Sequence, residues 1–164
     1  YWLLARDGGI FSFGDAAFYG SMGGHRLNAP VIAMASTPTG RGYWLLGADG
    51  GIFSFGDAAF HGSTGGFRLA APVVGMATTA SGSGYWLLGA DGGVFAFGNA
   101  PYVGSIPGTG WCTRPGAVSL TGTNSGLGYW VLTHDGAVMS FGDAAHHGEP
   151  KTYGVRPITL TAVG

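Results

Sequence analysis

The acidic side chains can take part in more kinds of chemistry than the other residues of this sequence. Seven of the eight occupy repeated positions. Carboxylates can transfer protons, ligate calcium or accept hydrogen bonds from sugar hydroxyls. One set precedes glycine: Asp7, Asp49, Asp91 and Asp135. A second set follows Phe-Gly and contains one asparagine: Asp15, Asp57, Asn99 and Asp143. Both patterns are typical of turns, because Asp-Gly favours hairpins and Asn keeps the acceptor without the charge. Asp15 and Asp57 remain candidates for a repeated polar contact with a ligand.

Two pairs of residues at matching positions suit ligand binding. Tyr19 and His61 correspond to each other, and later copies carry Val103 and His147 there. This variation predicts exposure, with Tyr19 and His61 in shallow pockets. Arg26 and Arg68 lie in matching loops, with Arg114 and Arg156 as approximate equivalents. These arginines can pair with carboxylates between repeats or bind anionic groups, and the sequence favours neither.

The least repetitive region contains Trp111, Cys112 and the pair His146–His147. Trp111 stands in a Gly- and Pro-rich loop and is the best candidate for an exposed aromatic anchor. The two histidines, with Asp143 and Glu149, offer metal-capable atoms. Adjacent residues of a strand point to opposite faces, so we predict no metal site there. The single cysteine also excludes an intrachain disulfide and a zinc site built from several cysteines.

The same sequence offers little support for catalysis. Gly-x-Ser-x-Gly, phosphate-loop and His-Glu-x-x-His motifs are absent, so we predict a protein that is not an enzyme and needs no cofactor. Charged residues make up 9% and the net charge is -1, which argues against a nucleic-acid partner. No apolar run approaches the length of a membrane-spanning helix, so no membrane span is expected.

A repeat must position these side chains. The motif Tyr-Trp-x-Leu begins at Tyr1, Tyr43, Tyr85 and Tyr129, a spacing of about 42 residues. In the second copy we predict strands at Val31–Ser36, residues 43–46 and residues 52–55, and a short outer strand at 60–62. Four short strands in a repeat of about 40–45 residues are typical of a β-propeller blade.

The predicted fold is therefore all-β: residues 1–164 form one small β-propeller with four blades of four antiparallel strands. Residues 157–164 resemble the first strand of a blade, and we expect them to pair with the N-terminal blade and close the ring. Two copies joined in a larger ring, or an arc of a longer parent, are alternatives, and a solenoid or sandwich is a weaker one. The chain begins directly on a repeat, so we expect it to be part of a longer product.

The segment Tyr-Trp-x-Leu-x-x-Asp-Gly, followed by Phe-Gly, resembles the core of RCC1-type propeller repeats. The longer pattern, with Phe-x-Phe-Gly-Asp-Ala, is similar to tandem repeats of secreted actinobacterial proteins. The resemblance covers the whole chain and implies an extracellular accessory module, secreted or on the cell surface. We expect a non-catalytic module that attaches to cell-wall polysaccharide through several weak equivalent pockets. The alternative is a protein-interaction or self-assembling structural module, either a monomer or a ring-completing homo-oligomer, which binds a partner domain of its parent protein.

Overall fold

The computed structural model describes residues 1–110, 116–149, 157 and 159–162. These residues form an all-β arrangement of four small antiparallel sheets, which we call blades 1 to 4 in chain order. Blade 1 contains β1 (Trp2–Leu4) and β2 (Ile10–Ser12). Blade 2 contains β3 (Val31–Ser36), β4 (Gly42–Gly47) and β5 (Ile52–Gly56), and blade 3 contains β6 (Val73–Thr78), β7 (Gly84–Gly89) and β8 (Val94–Gly98). Blade 4 contains β9 (Ala117–Gly122), β10 (Gly128–Thr133) and β11 (Val138–Gly142). A short 3-10 turn, Pro107–Thr109, follows blade 3. This arrangement fits a β-propeller.

Each Asp-Gly pair forms the hairpin that the sequence predicts. Between β4 and β5, the amide of Gly50 donates to the carbonyl of Gly47 over 2.8 Å, and the amide of Gly47 donates to the carbonyl of Gly51 over 2.8 Å. Gly50 has φ +80°, whereas no residue other than glycine has a positive φ among those described. The turn is therefore a three-residue loop that needs glycine at its last position.

The central strand of each blade is the core of the fold. β4 and β7 are buried along their whole length, because a neighbouring blade covers each face. Three apolar clusters lie between consecutive blades, and each contains tyrosine, tryptophan or leucine from these strands. The first strands β3, β6 and β9 lie side by side, which stacks the blades around a common centre.

The fourth strand predicted at residues 60–62 is instead a segment outside any sheet. We name this segment and its equivalents the straps: residues 16–21, 58–63, 100–105 and 144–149. The carbonyl of Ala59 accepts a hydrogen bond of 2.8 Å from Trp44 Nε1, and the amide of His61 donates to the Tyr85 hydroxyl over 3.1 Å. Side chains thus take the backbone groups that a strand would use for pairing.

The described residues form an arc that is open at both ends. Tyr1 is 71% exposed and Leu3 is 52% exposed, whereas the equivalent Leu45 of blade 2 is fully buried. Near the other terminus, Leu160 lies beside β9, where its amide donates to Ser119 Oγ over 3.2 Å and its carbonyl accepts from Thr121 Oγ1 over 2.6 Å. This segment occupies the place of a next first strand, but within the described residues β1 pairs only with β2.

Candidate functional site

The aspartates of the Asp-Gly pairs are occupied by their own turns. Oδ1 of Asp7, Asp49 and Asp91 accepts a hydrogen bond from the amide two residues later, at 2.9–3.0 Å. Asp135 does the same with Ala137 at 3.2 Å and also accepts from the Thr133 hydroxyl. These contacts are those of Asx turns, which explains the repeat of this acid without a ligand.

The second acid position joins two turns of one blade. In blade 2, Asp57 accepts hydrogen bonds from the hydroxyls of Thr37 at 2.9 Å and Thr39 at 2.5 Å. The Thr39 hydroxyl contributes most to lowering the pKa of Asp57 below its usual range, with smaller contributions from Thr37 and Arg41. A carboxylate held by two hydroxyls on one blade is suited to fastening the turn after β5 to the turn before β4.

Asn99 shows how this position tolerates the loss of charge. Its Oδ1 accepts from Thr79 at 3.0 Å, as the acid does, but its Nδ2 donates to the Ser81 hydroxyl at 2.9 Å. The second hydrogen bond has reversed direction and the geometry is kept. Asp143 repeats the acidic form, with Thr123 and Ser125 as its partners. Asp15 is exposed after β2, and its role as a ligand contact stays a prediction.

Tyr19 and His61 lie between blades and are only partly exposed. The Tyr19 ring meets the Tyr43 ring edge-on at 5.9 Å, and its hydroxyl donates to the Gly40 carbonyl over 3.3 Å. The His61 ring lies 5.6 Å from the Tyr85 ring, and its Nε2 is buried without a hydrogen-bond partner. Both rings therefore pack in the seam between blades, and their role in ligand binding stays a prediction.

The residue just before each of these rings is the one that faces solvent. Phe18 is 58% exposed, and Phe60 and Tyr102 are each 60% exposed. They occupy the same position in three successive straps, and blade 4 has His146 there, also exposed. We call Phe18, Phe60 and Tyr102 the aromatic row. The sequence did not indicate this row, because we assigned exposure to the position after it, where the residue type varies more from repeat to repeat.

The remaining candidates have mixed outcomes. Arg26 and Arg68 are exposed in the loops after straps 1 and 2, where they can meet an anionic group. The structure does not describe four other candidates: Trp111, Cys112, Arg114 and Arg156.

The histidine pair of blade 4 faces solvent. His146 and His147 are both exposed, and Glu149 accepts a hydrogen bond of 3.0 Å from the amide of Val138. In the part of the chain that the structure describes, no three His, Cys, Asp or Glu side chains come together to hold a metal ion.

Comparison with known proteins adds no family to this geometry. No protein-family model matches the chain, and no curated protein sequence matches it. Within the described ranges, the structure contains no helix with the length and apolar character needed to cross a bilayer. Function must therefore be argued from the blades and their surfaces.

The tyrosines of the seams predict a loss of stability in alkali. Burial raises the pKa of Tyr129 from 10.0 to about 12, and burial also raises the pKa values of Tyr43 and Tyr85. A raised folded-state pKa favours the neutral phenol, so this contribution to stability is complete below pH 10 and is lost as the pH rises toward 12. Thermal melting followed from neutral pH to pH 12 should show a steep fall above pH 10.

The Tyr129→Phe variant is the control for this effect. It loses the hydrogen bond to the Gly104 carbonyl, so it is less stable at neutral pH, but its alkaline loss should be shallower. The tyrosinate absorbance of the folded protein gives an independent check. If all seven tyrosines titrate near the ordinary value while the fold remains intact, the seams are open to water and this explanation is wrong.

Proposed function

We propose that this chain is a non-catalytic extracellular module that binds polysaccharide through the aromatic row. The observation that carries the proposal is the equal exposure of Phe18, Phe60 and Tyr102 at one position of three successive straps. An exposed aromatic ring offers a flat apolar face to the C–H groups of a sugar ring. Three such rings on successive blades offer a repeated contact, and a polymer offers repeated sugar units to meet it.

Several features of the surroundings favour a neutral polymer over a charged one. The chain has a net charge of -1 and only 9% charged residues. The acid nearest in sequence to Phe60 is Asp57, whose carboxylate is held by Thr37 and Thr39. Each ring then contributes a weak contact of about 1 kcal/mol. Linked contacts on one polymer add through multivalency, so a polysaccharide should bind far more tightly than its monosaccharide.

The proposed architecture behind this surface is a β-propeller whose blades 1 to 4 lie in a continuous arc. In a ring closed within one chain, residues 157–164 supply the first strand beside β1, as the sequence predicts. In a larger ring, a second copy supplies further blades. Either arrangement leaves the aromatic row exposed, because straps 1 to 3, which carry it, do not belong to the open faces.

Alanine substitution of the row tests the proposed function. Each of Phe18→Ala, Phe60→Ala and Tyr102→Ala should weaken binding to isolated bacterial cell wall or a neutral polysaccharide by about 3- to 10-fold, as expected for about 1 kcal/mol per ring. The triple variant should fall to background retention in affinity electrophoresis. Melting temperatures should hardly change, because these side chains are exposed.

Phe67→Ala is the matched control, because Phe67 is 72% exposed but lies in the loop after strap 2 and does not belong to the row. It should bind polysaccharide as the unaltered chain does. Full retention of the triple variant on every polymer that binds the unaltered chain would refute the row as the binding surface. Equal losses in Phe67→Ala would indicate non-specific adsorption through exposed aromatic rings.

A further inference from the structure

The straps that carry the aromatic row lie between the outer strands of neighbouring blades. Strap 2 follows the end of β5 and packs on blade 3, where a methyl group on Gly98 of β8 would lie 3.0 Å from His61 Cγ. In strap 3, Val103 lies against Gly142 of β11 in the same way, and strap 1 lies against β5. Each of these straps therefore fills the wedge between its own blade and the following one.

The blades spread apart from their common centre, and the wedges spread with them. The first strands β3, β6 and β9 lie side by side, whereas no comparable contact joins the outer strands β5, β8 and β11 among the described residues. Sheets packed face to face lie about 10 Å apart, and the outer edges of spreading sheets lie further apart than that. Phe18, Phe60 and Tyr102 are therefore in three separate wedges, with β5 between the first two rings and β8 between the last two.

Hydrogen bonds on both sides of these rings hold the straps in place. In strap 2, the carbonyl before Phe60 accepts from the tryptophan of its own blade, and the amide after it donates to the tyrosine of the next blade. Strap 1 repeats both contacts around Phe18. In strap 3, the Tyr102 hydroxyl also donates to Ser105 Oγ over 3.1 Å, which ties this ring to its own wedge. A strap fixed in this way cannot move to bring two rings together.

We propose that the three rings are separate binding sites and that one module cross-links different polysaccharide chains. This inference rests on the proposed function, because it concerns the same rings and the same neutral polymer. Each ring stacks on a sugar of whichever chain enters its wedge, and the blade between two rings prevents one sugar from touching both. Where polymer is abundant, different chains occupy different wedges, and the module becomes a junction between them.

The weakness of each contact determines the kind of network that results. One stacked ring contributes about 1 kcal/mol, so a single junction forms and breaks readily. A long chain can return to a second wedge of the same module or reach a second module, and the linked contacts then add. The network is therefore held by many reversible contacts, and a short oligosaccharide that occupies the rings one at a time should dissolve it.

Light scattering from mixtures of module and polymer tests the cross-linking. Dextran, xyloglucan and galactomannan are the probes, and the experiment uses the one that retains the module best in affinity electrophoresis. Scattering should increase strongly as module is added to the polymer. It should decrease again in excess module, because each chain then carries its own modules and few are shared. A short oligosaccharide of the same polymer should return the scattering to that of the polymer alone.

The double variant Phe18→Ala/Tyr102→Ala keeps one ring of the row. At raised protein concentration it should still be retained by the polymer, but it should give no increase in scattering, because one site cannot join two chains. Phe67→Ala should form the network as the unaltered chain does. All three side chains are exposed, so circular dichroism should show the same fold for each variant. A network formed by the double variant would show that copies of the module associate with one another, and would overturn cross-linking by separate rings.

Equilibrium dialysis with the short oligosaccharide separates this inference from the proposed function. Each single alanine variant of the row should lose one of three sites and leave the affinity of the other two unchanged. If one alanine abolishes all binding of the oligosaccharide, or if the unaltered chain is retained by the polymer without any increase in scattering, the rings form one site. Cross-linking is then wrong, while polysaccharide binding stands. An unaltered chain that none of the three polymers and no isolated cell wall retains would overturn both proposals.

Discussion

Replacing Trp86 with alanine is expected to lower the free energy of unfolding by about 3–5 kcal/mol. Trp86 is fully buried, its ring lies 5.4 Å from Tyr129, and its Nε1 donates to the Pro101 carbonyl over 2.8 Å. The substitution leaves a cavity in the seam and removes the side chain that holds strap 3. Urea unfolding followed by circular dichroism measures the loss.

Trp130→Ala is the matched variant at the open end of the arc. Trp130 has the same place in its motif and the same type of hydrogen bond, to the Ala145 carbonyl over 2.7 Å, but it lines a cavity of about 330 Å³ and is only partly buried. In the monomer its replacement should cost about 1–2 kcal/mol, because less apolar surface leaves contact with protein. If the two variants lose equal free energy of unfolding at a concentration where the chain is monomeric, Trp130 does not lie at an open end of the arc.

The sequence predicts well what is decided within a few residues. The Asp-Gly hairpins depend on one glycine with a positive φ and on an aspartate that accepts from an amide two residues later. The strand Val31–Ser36 has the predicted bounds, and the Tyr-Trp-Leu-Leu segment of β4 is buried on both faces as expected. These features need only local backbone chemistry and the absence of polar side chains.

The straps could not be predicted in this way, because their partners lie on other parts of the chain. The amide of His61 and the carbonyl of Gly62 are taken by Tyr85, a residue of the following blade. Local sequence suggests a fourth strand there, and only the packing of two blades removes it. The same contact turns His61 inward and Phe60 outward, so the orientation of the strap, and with it the aromatic row, depends on the seam.

At the second acid position, the sequence predicts the turn but not the partners of the side chain. Sequence alone identifies Asp57 and Asn99 as equivalent and favours a turn. It does not reveal the hydroxyls that hold them, since Thr37 and Thr79 lie before the central strand of the blade. A polar position that appears available for a ligand is thus satisfied within its own blade.

Replacing Gly62 with alanine should be among the most destabilising single-methyl additions in the chain. Gly62 has φ +132°, a conformation that costs other residues about 1–3 kcal/mol. The methyl group would lie 2.5 Å from Cδ1 and 2.9 Å from Cε1 of Phe97, so the ring must move within a packed seam. Overpacking adds about 1–3 kcal/mol, and together these terms predict a loss of about 2–6 kcal/mol. The melting temperature and the urea midpoint should both fall.

Gly148→Ala makes the same change at the equivalent glycine of strap 4. Its φ of +113° carries a similar backbone cost, but the methyl group meets no atom of the described residues within 4 Å. As a monomer, this variant should therefore be clearly more stable than Gly62→Ala. Equal falls in melting temperature for Gly148→Ala and Gly62→Ala would show that contact with the Phe97 ring is not what makes the Gly62 substitution costly.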